Sequence, residues 1–199
     1  MKEKAKVYVG LVHYPIYNRN MDVVATAVTN FDVHDLARTC RTYDVARYFV
    51  IHPHESQARL VQDIIGYWRD GYGSEYNPDR KEAFQVLELA ASIEEACKRI
   101  EEAEGQRPLI VTTDARVYPN SISYRTMRSK LQQEAQPWLI LFGTGWGIEA
   151  ETMSRFDAIL EPIYGPGEYN HLPVRSAVAI ILDRLLGEAW YEAESARED

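Results

Sequence analysis

Apolar runs typical of buried β-strands alternate along this chain with segments of helical periodicity. Several of the runs are continuously apolar and do not alternate with polar residues. Parallel strands that are covered by helices on both faces have this pattern. The predicted strands cover residues 6–13, 45–52, 84–89, 108–113, 138–142 and 158–163. We therefore predict an α/β fold with an about six-stranded parallel sheet and helices on both of its faces.

The intervening helices are predicted from apolar stripes at helical spacing, over residues 33–43, 55–68, 92–104, 121–133 and 174–186. Asp32 precedes the first of them and is placed to cap it. Residues 70–80 are rich in glycine, tyrosine and turn formers. We interpret them either as a mobile or substrate-facing loop, with Tyr72 and Tyr76 available to stack on a base, or as a plain surface loop.

Length and composition indicate an ordinary globular protein. The 199 residues are 46% hydrophobic and 26% charged, and they fit a single domain over residues 1–199 with an acidic tail from about residue 188. No apolar run approaches the roughly 18 residues that span a bilayer, so no membrane partner is expected. Two cysteines do not make a disulfide framework, and the cytoplasm is the expected location. The net charge of −8 argues against nucleic-acid binding through bulk charge.

Two glycine turns follow neighbouring predicted strands in the last third of the chain. Gly143, Gly145 and Gly147 follow one strand, and residues 164–167 follow the next. Ligands of open α/β sheets lie beyond the carboxyl ends of the strands. Loops 113–120, 143–148 and 164–173 all leave such ends, which predicts a small-molecule pocket built largely from backbone groups. The alternative is that these glycines only make tight turns.

Several common sites are excluded by their spacing. A dinucleotide fold needs its glycine turn after the first strand, where this chain has His13-Tyr14-Pro15. No lysine-containing phosphate loop and no zinc-like Cys/His spacing is present. His52 and His54 flank Pro53 as possible metal ligands or as simple loop residues. We predict no metal.

Three segments then resemble one family. Residues 32–44 (DVHDLARTCRTYD) contain Ala-Arg-Thr, residues 139–147 read LILFGTGWG, and residues 169–180 read YNHLPVRSAVAI. Together they resemble S-adenosylmethionine-dependent RNA methyltransferases of the SPOUT superfamily, in particular a small stand-alone bacterial family. The resemblance spans essentially the full chain. It implies that the C-terminal part of the fold forms a trefoil knot.

The resemblance also implies a cofactor site. In this superfamily three loops hold S-adenosylmethionine largely through backbone amides, without a metal, and S-adenosylhomocysteine is the product. Adenine recognition by main-chain groups beside apolar walls agrees with the glycines at these positions. The cofactor-binding positions implied here are Thr113, Leu141, Phe142, Gly143, Thr144, Gly145, Ile163, Tyr164, Gly165, Asn170, His171, Leu172, Val174 and Arg175.

Two catalytic candidates come from the first segment. Arg38 matches the superfamily arginine that contacts RNA or assists at the acceptor; the alternative is a surface ion pair with Asp35 or Asp44. Asp32 stands where the ribose-methylating branch has asparagine, and it either handles a proton or base edge or only caps the helix. Arg175 has its own alternative, an ion pair with Glu161 or Glu168.

The chain departs from the ribose-methylating branch at three positions. Gly145 stands where that branch has glutamate, Pro173 where it has asparagine, and Arg175 where it has its second serine. Both a base nitrogen and a ribose 2′-oxygen therefore stay open as acceptors. The resemblance further implies a structured RNA substrate, tRNA or rRNA, and a homodimer formed through the knot helix and the helix near the N-terminus. The alternative function is a non-catalytic nucleotide-binding or regulatory module.

Overall fold

The computed structural model describes residues 5–188 and contains a seven-stranded sheet whose strands are all parallel. Its order is β5-β4-β1-β8-β6-β9-β7, and β2 and β3 form a separate antiparallel hairpin. The strands are β1 (Val7–Val12), β2 (Ile16–Tyr17), β3 (Val23–Val24), β4 (Arg47–Ile51), β5 (Leu87–Ala90), β6 (Leu109–Thr113), β7 (Ser121–Ile122), β8 (Trp138–Gly143) and β9 (Ala158–Leu160). All six predicted strands are present, and the predicted fold class is confirmed.

Helices cover both faces of the sheet. The apolar sides of α1, α2, α6 and α8 join one core with Phe84 of α4, whereas α5 and α7 pack on the opposite face. The helices are α1 (Asn30–Thr42), α2 (Glu55–Arg69), α3 (Tyr72–Tyr76), α4 (Pro78–Phe84), α5 (Ile93–Glu104), α6 (Tyr124–Gln133), α7 (Ala150–Met153) and α8 (Val174–Leu186).

The central strands β1 and β8 pair in parallel from Val7↔Trp138 to Val12↔Gly143. Every residue of β1 is buried, because helices cover both sides of it. Gly10 lies in the middle of β1, where a Cβ atom would come within 2.6 Å of Leu141 Cδ2 and 3.0 Å of Ile51 Cδ1. The absence of a side chain at Gly10 thus lets the neighbouring strands' side chains meet over β1.

The first helix begins three residues earlier than predicted. Thr29 is its N-cap, and the Thr29 hydroxyl accepts a hydrogen bond from the Asp32 backbone N–H at 3.2 Å. The Asp32 carboxylate accepts one in return from the Thr29 backbone N–H, also at 3.2 Å. These reciprocal bonds form a capping box. Asp32 is therefore the third residue of the helix and not its cap, which corrects the predicted start.

The predicted loop over residues 70–80 is wrong, because α3 and the start of α4 occupy it. Pro78 is the first residue of α4, a position where its missing N–H has no consequence, and Asn77 caps the helix by accepting from Arg80 N at 2.9 Å. Turn formers here therefore start a helix. Because α4 continues to Phe84, the strand predicted from residue 84 begins only at Leu87.

Two further boundaries differ. Residues Ser121–Ile122, predicted as helix, pair with β9 as the seventh strand, and Ser123 then caps α6. The strand predicted to reach residue 163 ends at Leu160.

The acidic tail lies almost entirely outside the described residues, and the trefoil knot and the single-domain assignment stay predictions. Within residues 5–188 no helix is long and apolar enough to cross a membrane, and no three potential metal ligands cluster.

Gly10→Val is expected to destabilise the protein by about 1–3 kcal/mol, since the added atoms overlap Leu141 and Ile51 at the centre of the sheet. Urea unfolding followed by circular dichroism measures this change. Gly66→Ala in α2 is the matched control, because no atom in the described part of the chain lies within 4 Å of the added Cβ. It should instead stabilise by roughly 0.5–1 kcal/mol. Equal stability of wild type and Gly10→Val would contradict this account of the core.

Candidate functional site

The carboxyl ends of β1, β8, β6 and β9 lie side by side along one edge of the sheet. From β1 the chain runs outward through β4 to β5, and it then crosses to build the other half of the sheet beyond β8. The direction of the connections therefore reverses between β1 and β8. Ligands of open α/β sheets bind at such a reversal. The three loops predicted to form a pocket start at this edge.

Backbone hydrogen bonds to the β2–β3 hairpin fix the position of the turn after β8. Gly145 and Gly147 adopt positive φ angles of 54° and 97°, which favours glycine at both. The Tyr17 backbone N–H donates to the Gly147 carbonyl at 2.9 Å, and the Trp146 N–H donates to the Tyr17 carbonyl at 3.0 Å. A Cβ at Gly145 would lie 2.9 Å from Ile16 Cγ2. The turn thus leaves no room for a side chain at Gly145, the position of glutamate in the ribose-methylating branch.

A buried carboxylate stabilises the loop after β6. Asp114 accepts two hydrogen bonds from the Arg116 guanidinium, from Nε at 2.9 Å and from Nη2 at 2.7 Å, and one from the Tyr118 hydroxyl at 3.1 Å. Burial opposes ionisation, but the hydrogen bonds from Arg116 outweigh it and lower the pKa of Asp114. Gly147 packs against this pair, since its Cβ would lie 3.1 Å from Arg116 Nη2. Sequence reasoning missed this cluster, although its Asp-x-Arg-x-Tyr pattern directly follows a strand.

The loop between β9 and α8 offers free backbone donors. Between Ile163 and His171, no main-chain N–H donates a hydrogen bond to any group in residues 5–188. The side-chain amide of Asn170 anchors this loop by donating to the Ala115 carbonyl at 2.7 Å. The loop after β9 is therefore fixed against the loop after β6. Its unpaired N–H groups are available to a ligand.

The predicted cofactor-binding residues divide by exposure. The side chains of Leu141 and Phe142 are buried on opposite faces of β8, so only their main chain can contribute to a site. Ile163 and Val174 pack partly on the core. Half-buried or exposed along the edge are Thr113, Gly143, Thr144, Gly145, Tyr164, Gly165, Asn170, His171, Leu172 and Arg175.

An ion pair joins α8 to α1 beside this edge. Arg175 Nη1 lies 2.7 Å from Asp35 Oδ2, and the Arg175 guanidinium lies 4.9 Å from the centre of the Phe31 ring. Arg175 therefore pairs with neither Glu161 nor Glu168. Arg38 lies one turn further along α1, is exposed, and forms no ion pair within the described part of the chain. Its surface-pairing alternative with Asp35 or Asp44 is thus not realised.

A chain of polar groups connects three strand ends on the α1/α8 face. His13, at the end of β1, is fully buried, and its Nδ1 lies 3.0 Å from the Thr26 hydroxyl. Thr26 Oγ1 lies 2.5 Å from Thr144 Oγ1, which donates to the Val12 carbonyl at 3.0 Å. His52, directly after β4, joins this chain because its Nε2 donates to the Thr26 carbonyl at 3.1 Å. His52 is therefore a loop residue, as one of its two interpretations predicts, and it is buried.

Counting hydroxyl protons fixes the state of His13. Thr144 gives its only hydroxyl proton to Val12, so Thr26 must donate to Thr144. His13 Nδ1 must then donate to Thr26, so the neutral form of the ring has its lone pair on Nε2. That atom is buried and has no partner in residues 5–188. Desolvation by burial lowers the pKa of His13 to about 4, against an opposing contribution from Asp32, so the imidazole is neutral.

Comparisons with known proteins place the chain among methyltransferases. The profile of a family described as "SAM-dependent RNA methyltransferase" matches residues 6–187. A protein from Aquifex aeolicus is 45% identical over 179 residues, which are 90% of this chain and 87% of that protein. A tRNA (guanine-N(1)-)-methyltransferase from Oleidesulfovibrio alaskensis is 40% identical over 183 residues, which are 92% of this chain. The matched part is 42% of that enzyme, so the chain spans about two fifths of its length.

A solved structure agrees with the fold. The A. aeolicus TrmH/SpoU tRNA modifying enzyme matches with a TM-score of 0.53 at 15% sequence identity, over 98% of this chain and 80% of that chain. The sheet, its reversal and its loops thus have the fold of that tRNA modifying enzyme. The chain belongs to the family of SAM-dependent RNA methyltransferases, since its profile covers most of the length.

The buried neutral His13 predicts an acid-sensitive fold. Its pKa is about 4 when folded and about 6.5 when unfolded. Between these values the unfolded chain binds more protons, so the free energy of unfolding falls as pH drops from 6.5 to 4, by about 3 kcal/mol. Urea titrations across this range measure the slope. His13→Asn keeps a donor near the Thr26 hydroxyl and should flatten the profile; an unchanged slope would show that other groups cause it.

Proposed function

We propose that the protein transfers the methyl group of S-adenosylmethionine to a nucleotide of structured RNA, tRNA or rRNA. The donor is held by the loops after β6, β8 and β9, within a C-terminal knot. One observation carries the proposal: the loop that holds the unpaired backbone N–H groups between Ile163 and His171 follows β9, at the same edge of the sheet as the glycine turn at Gly143. Main-chain donors beside glycines suit an adenosine-containing ligand.

Methyl transfer from a sulfonium requires few catalytic groups from the protein. A sulfonium carries an already activated methyl group, so the protein must align donor and acceptor and accommodate one proton. Arg38 is exposed on α1, one turn from the Asp35–Arg175 ion pair that joins this helix to the proposed donor loop. A free guanidinium there is suited to hold a phosphate or the acceptor nucleotide. Asp32 is committed to the capping box, so we assign it a positioning role for α1.

A base nitrogen is the favoured acceptor, with a ribose 2′-oxygen as the other candidate. Two differences from the ribose-methylating branch support a base. Gly145 packs against Ile16 with no space for a glutamate side chain, and Arg175 is engaged by Asp35. A tRNA is the first RNA to test, because the O. alaskensis relative is named for a tRNA guanine. Nucleoside mass spectrometry of RNA from wild-type and deletion strains identifies the modified nucleotide and its acceptor atom.

We also propose that two copies pair through α1 and α8. These helices pack together within the chain, and the Tyr43 hydroxyl donates to Asp183 at 3.0 Å, which holds the two as one surface. Ala177 and Ile180 of α8 stay partly exposed on it. Sedimentation equilibrium tests this pairing, and a protein that stays monomeric at micromolar concentrations would contradict it.

Gly143→Val is expected to abolish binding of S-adenosylmethionine and of S-adenosylhomocysteine. The added Cβ would lie 3.0 Å from Ile148 Cγ1 and 3.1 Å from its backbone nitrogen, so the turn must shift. Gly165→Val should also weaken this binding while the fold stays intact, because no atom of residues 5–188 lies within 4 Å of its Cβ. Isothermal titration calorimetry measures both. Wild-type protein that binds neither compound at high micromolar concentration would refute the proposed function.

Arg38→Ala should lower methyl transfer by about a hundred-fold or more while donor binding stays unchanged, because a cation at the acceptor is removed. Arg41→Ala is the matched control on the same helix, since Arg41 is engaged by Glu82 at 2.7 Å. Transfer of labelled methyl groups to tRNA and calorimetry give the two readouts. Loss of both activities in Arg38→Ala would indicate a structural arginine, and donor binding without any transfer in wild type would indicate a non-catalytic module.

A further inference from the structure

A groove of 510 Å³ lies between the start of α1 and the second half of α2, and Arg80 of α4 also lines it. Nothing in the proposed donor site uses it. Its volume is in the range of pockets that hold small organic ligands. Its lining combines aromatic side chains, which can stack on a ligand ring, with a few charged side chains that can form hydrogen bonds.

Two aromatic side chains of this groove are unusually exposed. Phe31 is 64% exposed and Tyr67 is 48% exposed, although both are large enough to stabilise the fold if they were buried. Trp68 extends the aromatic lining and is held edge-on against His34, with ring centres 5.4 Å apart. The groove therefore presents accessible ring faces on a rigid support, and such faces stack on unpaired nucleobases.

A fixed cation lies among these rings. The Arg80 guanidinium stacks 4.3 Å from the centre of the Trp68 ring. Arg80 Nε is buried without an acceptor, and no carboxylate in the described residues pairs with this side chain. Asp35 and Asp63 add carboxylate oxygens that can accept hydrogen bonds from base N–H groups. Aromatic faces, a guanidinium and carboxylate acceptors together match the chemistry of a nucleotide.

The groove adjoins the proposed reaction site. Phe31 contributes one face to the groove and meets the Arg175 guanidinium, 4.9 Å from its ring centre. Asp35 also lines the groove and binds the same arginine at 2.7 Å. Arg175 begins α8 directly after the loop with free backbone N–H groups. A nucleotide in the groove would therefore lie beside the one that is methylated.

We propose that this groove binds an unstacked base of the RNA substrate next to the target nucleotide. The inference rests on the proposed function, and it identifies a site for RNA that the acidic net charge of −8 does not predict. Stacking and hydrogen bonds, not bulk charge, supply the affinity at such a site.

Crosslinking tests the site directly. The probe is bulk tRNA containing 4-thiouridine, irradiated with the full-length protein and digested with trypsin. A crosslink is expected on the peptide covering residues 60–69, which carries Tyr67 and Trp68. Phe31→Ala should weaken this crosslink and raise the KM for tRNA about ten-fold, with donor binding unchanged. Phe31→Trp should restore both, because it keeps an aromatic face.

Leu60→Ala is the matched control. Leu60 is 43% exposed on α2 and does not line the groove, so its removal should change neither crosslink nor KM. An unchanged KM and crosslink in Phe31→Ala, in a protein that transfers methyl groups, would overturn this inference alone. A change in self-association of Phe31→Ala without any change in RNA binding would also overturn it, since the groove would then hold a second copy of the protein. A crosslink on residues 60–69 in a protein that binds no donor would support the groove and refute the proposed function.

Discussion

The parallel pairing of β1 with β8 is the interaction on which the remaining structure depends. It joins segments about 130 residues apart, from Val7↔Trp138 to Val12↔Gly143. This pairing places the end of the first strand beside the glycine turn, and it allows Thr144 to donate to Val12. The reversal of chain direction at the same place creates the edge where the loops meet. A contact of such long sequence separation has a large loop-closure cost, so the flanking helices must stabilise it.

The strands were predictable because burial on both faces requires continuous apolar runs, which are visible in β1 and β8. The missed elements leave no such pattern. Ser121–Ile122 is too short to show a period, and it is a strand only because β9 lies beside it. At residues 70–80, glycine, asparagine and proline predict turns, but the same residue types begin short helices when packing supports them. Local composition cannot distinguish these two outcomes.

The candidate site likewise has features that the sequence predicts and features that it does not. Glycine turns at strand ends can be found from sequence, since backbone conformation depends on residue type. Contacts between residues far apart along the chain cannot be found from sequence in this way. Asp35 and Arg175 are separated by 140 positions, and Thr26 meets Thr144 across 118. His13 gave no signal of its role because a histidine after a strand is common, and only the surrounding hydroxyl groups define its protonation.

The commitment of the hydroxyl protons has a consequence for how this edge of the sheet can recognise a ligand. Thr144 already donates to Val12 and accepts from Thr26, so its side chain has no proton left to offer. Apart from the exposed Trp146 indole N–H, any hydrogen bond donated from the turn must come from the main chain. Recognition of this kind constrains the path of the backbone and leaves most side-chain identities free. Variants selected for a different ligand would therefore have to change the shape of the turn, and not merely exchange its residues.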